Sequence, residues 1–244
     1  MNLTIDIGNT NIKTIVFNDT VPVYRNVSKT LTSLHINRLL RNFPLKYSII
    51  SSVVVLKKPF LNSLKKLPHL EIFSSSTFIP VKNLYETPAT LGKDRLANAI
   101  AGAFLFPRKN VLIIDAGTCI KYDFINSLNQ YLGGSISPGL EMRFKAMNYY
   151  TGKLPLVKEF GIKELTGRTT IQSLQTGGII GICEEMKGFI QQYKRKYKSL
   201  KVLLTGGDAY RFAGELKLSI FVTEDLVNMG LNEIIRYNSV KRIQ

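Results

Sequence analysis

The sequence predicts an α/β protein of two similar lobes, each with the element order βββαβαβα, facing each other across a cleft. The apolar runs and helical spacings of residues 1–107 recur in residues 108–244. Each half opens with an apolar strand ending in Asp-x-Gly, at Asp6-Ile7-Gly8 and Asp115-Ala116-Gly117, with a threonine close behind. The break between the halves is the short polar stretch Pro107-Arg108-Lys109-Asn110, and no Gly/Ser-rich linker occurs elsewhere, so two lobes share an interface rather than a tether. Like units joined in this way enclose a groove at their pseudo-twofold axis, where a ligand fits.

In the first half, strands are predicted over 2–7, 11–17 and 21–25, and Leu31, Leu34, Leu39 and Leu40 recur at helical spacing. An apolar run over 47–55 reads as a strand. A helix over 59–67 has a proline near its first turn, 70–73 is a short strand, and a helix over 94–106 is stopped by Pro107. The second half repeats the order with strands 110–115, 119–125 and 130–134 and a helix from Pro138 to 149. A long helix over 171–197 is inserted, then strand 201–205, helix 210–216, strand 218–222 and a closing helix 226–237.

With 45% apolar and 20% charged residues, the chain has the composition of a folded protein and not of a disordered one. No apolar window approaches membrane-spanning length, and Met1 leads into a strand without a basic and then apolar leader, which predicts a cytoplasmic protein with no membrane partner. Cys119 and Cys183 are too far apart for a metal knuckle and make no disulfide framework, so both read as core residues. The net charge of +16 raises nucleic-acid binding. The cations are dispersed, however, and the densest group, Lys194-Arg195-Lys196 with Lys198 and Lys201, ends a helical pattern where positive charge meets the macrodipole. A solvated face and no nucleic-acid partner follow from that placement. His35 and His69 stand alone and read as packing or surface residues.

The motif Asp6-Ile7-Gly8-Asn9-Thr10-Asn11-Ile12-Lys13 lies between two strands as a hairpin loop. Without a β-carbon at Gly8, backbone N–H groups and the Thr10 hydroxyl approach a phosphate closely, Lys13 adds a point charge, and the Asp6 carboxylate suits Mg²⁺ held through water. By itself this loop reads equally as a plain hairpin. Its second copy, Asp115-Ala116-Gly117-Thr118, stands 115 − 6 = 109 residues further on. Two such hairpins would grip one phosphate chain from both sides, consistent with the absence of a Gly-x-x-x-x-Gly-Lys-[Ser/Thr] loop. Thr205-Gly206-Gly207-Asp208-Ala209 is a third glycine turn, suited to a close approach to a nucleobase or ribose. In Thr90-Leu91-Gly92-Lys93-Asp94-Arg95, Asp94 is either a favourable charge in a helix's first turn with Arg95 as surface partner, or one half of a base and cation pair.

Asp6-x-Gly8-Asn9-Thr10, Gly92-x-Asp94-Arg95, Asp115-x-Gly117-Thr118, Gly167-Arg168-x-Thr170 and Thr205-Gly206-Gly207 follow one another as in type III pantothenate kinase, and the resemblance runs from residue 4 to about 230. It implies the actin-like ATPase superfamily, shared with acetate and sugar kinases and heat-shock chaperones, with two ribonuclease-H-like lobes (1–107 and 108–244). The implied reaction is phosphorylation of pantothenate by ATP to 4'-phosphopantothenate, the first step of coenzyme A biosynthesis. The resemblance also implies that Asp6, Ile7, Gly8, Asn9, Thr10, Asn11, Ile12 and Lys13 meet the ATP phosphates and that Thr118 binds ATP. Asp115 matches a monovalent cation position (K⁺ or NH₄⁺), and Asp94 matches the general base. Tyr85, Gly92, Lys93, Asp94, Arg95 and Thr170 match pantothenate contacts, in a homodimer with substrate pockets at the interface.

The chemistry of the residues agrees, because pantothenate offers an alcohol to phosphorylate and a carboxylate to anchor, and Asp94 and Arg95 supply a base and a cation side by side. Lys93 reads as facing solvent, and Tyr149-Tyr150 as a core pair with a dimer contact as the alternative. Two other functions stay open on the residues alone. One is a sugar or acyl kinase of the same superfamily, since the hairpins report ATP more than its acceptor; the other is a non-catalytic nucleic-acid-binding regulator.

Overall fold

The computed structural model describes residues 1–54, 61, 62, 64–159, 161 and 164–241. Residues 55, 59, 60 and 63 of the predicted run 47–55 and helix 59–67 lie outside the described residues. The chain forms two compact units, one of residues 1–108, 125–133 and those from 225 on, the other of residues 109–124 and 134–224.

In the first unit β1 (Asn2–Ile7) pairs antiparallel with β2 (Ile12–Asn18), which places Asp6 opposite Lys13. The β2 strand pairs with β3 (Val21–Ser28) through a register shift at Val16/Phe17, and β1 pairs in parallel with β4 (Tyr47–Ser52), which carries β5 (Leu70–Ile72). The sheet order is therefore β3-β2-β1-β4-β5. Leu3, Ile5 and Ile7 alternate along β1 and bury one face with Val16, Ile50 and the Ile36 and Leu39 side chains of α1 (Ser33–Asn42). Leu34, predicted on that face, is 77% exposed; Ile36 takes the buried position instead. His35 closes the start of its own helix, since Thr32 caps α1 by accepting from His35 N and the Thr32 backbone N–H donates back to His35 Nδ1.

The second sheet repeats the topology. Its strands β7 (Val111–Ala116), β8 (Cys119–Ile125), β9 (Gln130–Pro138), β10 (Lys201–Thr205) and β11 (Phe221–Val222) run in the order β9-β8-β7-β10-β11, which is β3-β2-β1-β4-β5 again. The duplication read from the sequence is thus a duplication of strand order. A two-residue strand that the sequence does not predict, β6 (Lys82–Asn83), pairs in parallel with Gln130 and Tyr131 in the first unit.

The second unit's core gathers Leu112 and Ile114 of β7 with α3 (Leu140–Tyr149), α4 (Thr170–Lys196) and α5 (Ala209–Leu216). Pro138 ends β9 and does not open α3, whose N-cap is Gly139. The predicted strand 218–222 shrinks to Phe221–Val222. Cys183 is buried, whereas Cys119 is half-buried at the mouth of the β7–β8 turn. Lys194, Arg195 and Lys196 form the exposed last turn of α4, as their spacing implied. Tyr149 and Tyr150 are each 82% exposed and are not core residues.

The first unit's opening segment ends at Arg108, and the closing helix α6 (Leu226–Lys241) returns to that unit. There it packs on α2 (Lys93–Leu105). A β-carbon at Gly230 would lie 1.9 Å from the Ala97 carbonyl oxygen, so α6 meets α2 backbone to backbone. The alanines of α2 (Ala97, Ala99, Ala101), all buried, keep that surface low enough for the approach.

Candidate active site

The first hairpin turns over Gly8–Asn11, with Gly8 N donating to Asn11 O at 3.0 Å. Asn9, Thr10 and Asn11 are exposed at its tip, and Asp6 and Lys13 flank it half-buried. The tip is surrounded by positive charge: Lys29 Nζ donates to the Thr10 carbonyl at 3.2 Å, and Lys13 Nζ stands 4.0 Å from Asp225. Asp225 in turn accepts from Arg25 Nε at 3.0 Å.

Residues from the far end of the chain brace this hairpin, and the sequence reading missed them. Asn228 Nδ2 donates to Thr4 Oγ1 at 2.9 Å and to the Lys13 carbonyl at 3.4 Å, bridging β1 and β2 from α6. One turn on, Asn232 Nδ2 donates to the Asp19 carbonyl at 2.7 Å, and its Oδ1 accepts from Asn2 Nδ2 at 2.9 Å. The available signal was two asparagines at i, i+4 in the otherwise apolar stretch 226–232, since a buried amide needs partners. An exposed turn with lysines beside it suits a polyphosphate. The half-buried Asp6 carboxylate at the edge of the turn is a hard oxygen donor that fits Mg²⁺ held through water.

A second cluster forms where α2 begins. Asp94 Oδ1 accepts from Arg95 N at 2.9 Å, folding the carboxylate back onto the helix start. Gly92 leaves room for this, since a β-carbon there would stand 2.7 Å from that oxygen. Arg95 is not a surface partner: it is 5% exposed, with its guanidinium 5.6 Å from the centre of the Tyr85 ring. The β6 pairing sets Tyr85. Leu84 N donates to Tyr131 O, Tyr85 N donates to Asn83 Oδ1, and Gly133 (φ +96°) would carry a β-carbon only 3.1 Å from the Tyr85 ring. Lys93 is half-buried. The fold therefore brings Tyr85, Gly92, Asp94 and Arg95 together, and the pairing that does so, β6, is absent from the sequence reading.

In the second unit Gly117 N donates to Cys119 O at 3.1 Å, and Thr118 is exposed at the turn. Gly139 N donates to Thr118 O at 3.1 Å, and a β-carbon at Gly139 would come within 2.1 Å of the Gly117 carbonyl, so α3 begins directly against this turn. Asp115 is buried, with Oδ2 2.7 Å from Lys121 Nζ. The Thr205-Gly206-Gly207 turn divides its labour. Gly206 (φ +98°) is closed off by β7, its β-carbon position lying 2.3 Å from Ala116 O and 2.6 Å from Asp115 Oδ1. Gly207 has open space where a side chain would be. The direction a side chain would take is therefore blocked at Gly206, which is half-buried, and open at the exposed Gly207.

At the start of α4, Thr169 is the cap, accepting from Gln172 N at 3.2 Å, so Thr170 has no capping role. Next to it is a pocket of about 390 Å³ lined by Glu164, Thr166, Gly167, Arg168, Gln172 and Thr176 among others. Behind the sheet, Glu185 of α4 accepts from Tyr122 (2.8 Å), Ser137 (2.5 Å) and Arg143. Burial would raise its carboxyl, but these three donors outweigh burial and hold it below the ordinary glutamate value. The same burial and hydrogen bond push the Tyr122 hydroxyl well up.

The family model of type III pantothenate kinase matches residues 2–192. This chain belongs to that family. The type III pantothenate kinase of Phocaeicola vulgatus is 45% identical over 241 residues, covering 98% of this chain and 99% of that one. Among solved structures, a conserved Baf family protein of Campylobacter jejuni superposes with a TM-score of 0.62 at 20% identity, over 97% of this chain and 98% of that one. The activator of 2-hydroxyisocaproyl-CoA dehydratase from Clostridium difficile, solved with bound ADPNP, gives 0.54 at 13% identity, over 100% and 97%. These likenesses show a shared α/β fold, and the two sheets of matching strand order agree with the fold class that the resemblance implied. As a type III pantothenate kinase family member the chain is a kinase, and among its described residues no helix is long and apolar enough to cross a membrane.

Proposed function

We propose that this chain transfers the γ-phosphoryl group of ATP to the primary alcohol of pantothenate, giving 4'-phosphopantothenate and ADP, the first step of coenzyme A biosynthesis in the cytoplasm. The observation that carries the reading is the Asp94–Arg95 pair, a carboxylate and a buried guanidinium on adjacent residues at the start of α2. Arg95 is held over the Tyr85 ring, and its planar fork of N–H donors matches the geometry of a carboxylate such as pantothenate's. With that end anchored at Arg95 and Tyr85, and with Gly92, Lys93 and Thr170 as further contacts, the hydroxyl comes to Asp94. The alcohol oxygen forms its bond to the γ-phosphorus as the bond to the bridging oxygen of ADP breaks, and its proton passes to the Asp94 carboxylate.

Residues 6–13 and Thr118 are the proposed phosphate contacts. Mg²⁺, held through water at Asp6, supplies neutralisation of the triphosphate charge. Because the transition state is loose, alignment and charge carry most of the catalysis. The active form is a homodimer with the pantothenate pockets at the interface, and neither nucleic acid nor membrane is a partner. The test is ADP release by purified protein with Mg·ATP and pantothenate, against a panel of sugars and short-chain acids. Pantothenate-dependent release supports the reading; release with a sugar or acid instead refutes the acceptor but not the fold.

A further inference from the structure

The second hairpin pairs the aspartate near the end of its first strand with a lysine of its second. Gly117 N bonds to Cys119 O, and two residues outward on each strand stand Asp115 and Lys121. Facing residues of an antiparallel pair share one side of the sheet, so the two side chains project together. Lys121 Nζ lies 2.7 Å from Asp115 Oδ2, with the two side chains 18% and 12% exposed. The other oxygen, Oδ1, is covered by the Gly206 turn, where even a β-carbon would stand only 2.6 Å away. In the first hairpin the equivalent lysine is Lys13, opposite Asp6, and it reaches toward Asp225 at 4.0 Å.

Asp115 is the residue that the family resemblance assigns to a K⁺ or NH₄⁺ site, and its surroundings in this chain do not fit a free ion. A lysine ammonium carries the same single charge as K⁺ and is chemically an NH₄⁺ tethered to the fold. A diffusing ion would have to break a charge-assisted contact on a largely covered carboxylate and leave the Lys121 cation beside it, a like-charge repulsion in a poorly solvated place. Tethering also removes the loss of translational freedom that a free ion pays on entering a site.

We propose that Lys121 supplies the monovalent charge at Asp115 and that turnover by this chain is independent of added K⁺ or NH₄⁺. The proposal rests on the kinase reading above. The experiment measures pantothenate-dependent ADP release as KCl replaces choline chloride at fixed ionic strength, for the parent and for Lys121→Met, which keeps the aliphatic stem. The parent rate should stay flat. The variant should lose roughly tenfold or more without K⁺, as expected for a missing charge contact, and recover as K⁺ or NH₄⁺ is added.

A parent rate that climbs several-fold with K⁺ overturns the proposal, as does a folded Lys121→Met that turns over at the parent rate in choline. Melting temperatures in the same two salts give a readout that needs no turnover: K⁺ should leave the parent unchanged and raise the variant. A K⁺-specific rise in the parent overturns the proposal even if Lys121→Met fails to fold. Absence of ADP release from either protein in every salt would instead refute the kinase reading, leaving the melting comparison to decide the cation.

Discussion

Substituting the two neighbouring glycines of the third turn separates packing from ligand contact. At Gly206 the backbone has φ +98°, a conformation that L-residues rarely adopt, and a β-carbon would come 2.3 Å from Ala116 O and 2.6 Å from Asp115 Oδ1. The first of these neighbours is main chain within a buried strand and cannot swing aside. Gly206→Ala should therefore combine about 1–2 kcal/mol for an unfavourable backbone with about 1–3 kcal/mol of overpacking. At about 2–4 °C per kcal/mol for a chain of this size, the melting temperature should fall by roughly 4–20 °C. At Gly207 nothing lies within 4 Å of the added carbon, so Gly207→Ala should melt with the parent. If that open side receives the nucleotide, Gly207→Ala raises the KM for ATP without changing that for pantothenate. Differential scanning fluorimetry and two-substrate kinetics measure both. A Gly206→Ala protein as stable as the parent would refute the close approach to β7, and an unchanged ATP KM in Gly207→Ala would remove the turn from the nucleotide site.

Asp94→Asn should keep pantothenate affinity while kcat falls about 10²–10⁴-fold, the usual contribution of a general base; isothermal titration with pantothenate and steady-state rates separate the two. Arg95→Lys should raise the pantothenate KM about 10- to 100-fold, since an ammonium cannot reproduce a bidentate clamp worth about 1.5–3 kcal/mol; an unchanged KM would make Arg95 structural. For Glu185, burial acts upward but the Ser137, Arg143 and Tyr122 donors hold the folded carboxyl below its ordinary value of 4.5, so its contribution is present above that pH and is lost as pH falls through the depressed folded value. Glu185→Gln should accordingly melt below the parent at pH 7, and the two curves should converge under acid; a gap that widens on acidification would reverse the assignment.

Strands β1, β8 and β10 coincide with the sequence reading to the residue, because each is an apolar or alternating run bounded by a turn signal, which local spacing reports faithfully. The Asp-x-Gly hairpins were legible for the same reason: the motif and its turn are contiguous. What escaped depends on pairing across the chain. Two polar residues such as Lys82-Asn83 carry no strand signal, and become β6 only because Gln130 and Tyr131 offer an edge. With β6 went the reason for Tyr85's position beside Arg95. The bracing by Asn228 and Asn232 needed the knowledge that α6 packs back on the opening unit, a long-range choice set by the Gly230–Ala97 contact. Lys121 drew no attention as one cation among many; its role depends on register opposite Asp115. At Gly206 the close approach to β7 requires a glycine, a packing reason that the motif alone does not show.

Mass spectrometry of the products after incubating the purified protein with Mg·ATP and pantothenate tests the central claim most directly. The account predicts 4'-phosphopantothenate and ADP in equal amounts, with both falling together in Asp94→Asn. ADP formed without phosphopantothenate, or phosphopantothenate formed as fast by Asp94→Asn as by the parent, would contradict it.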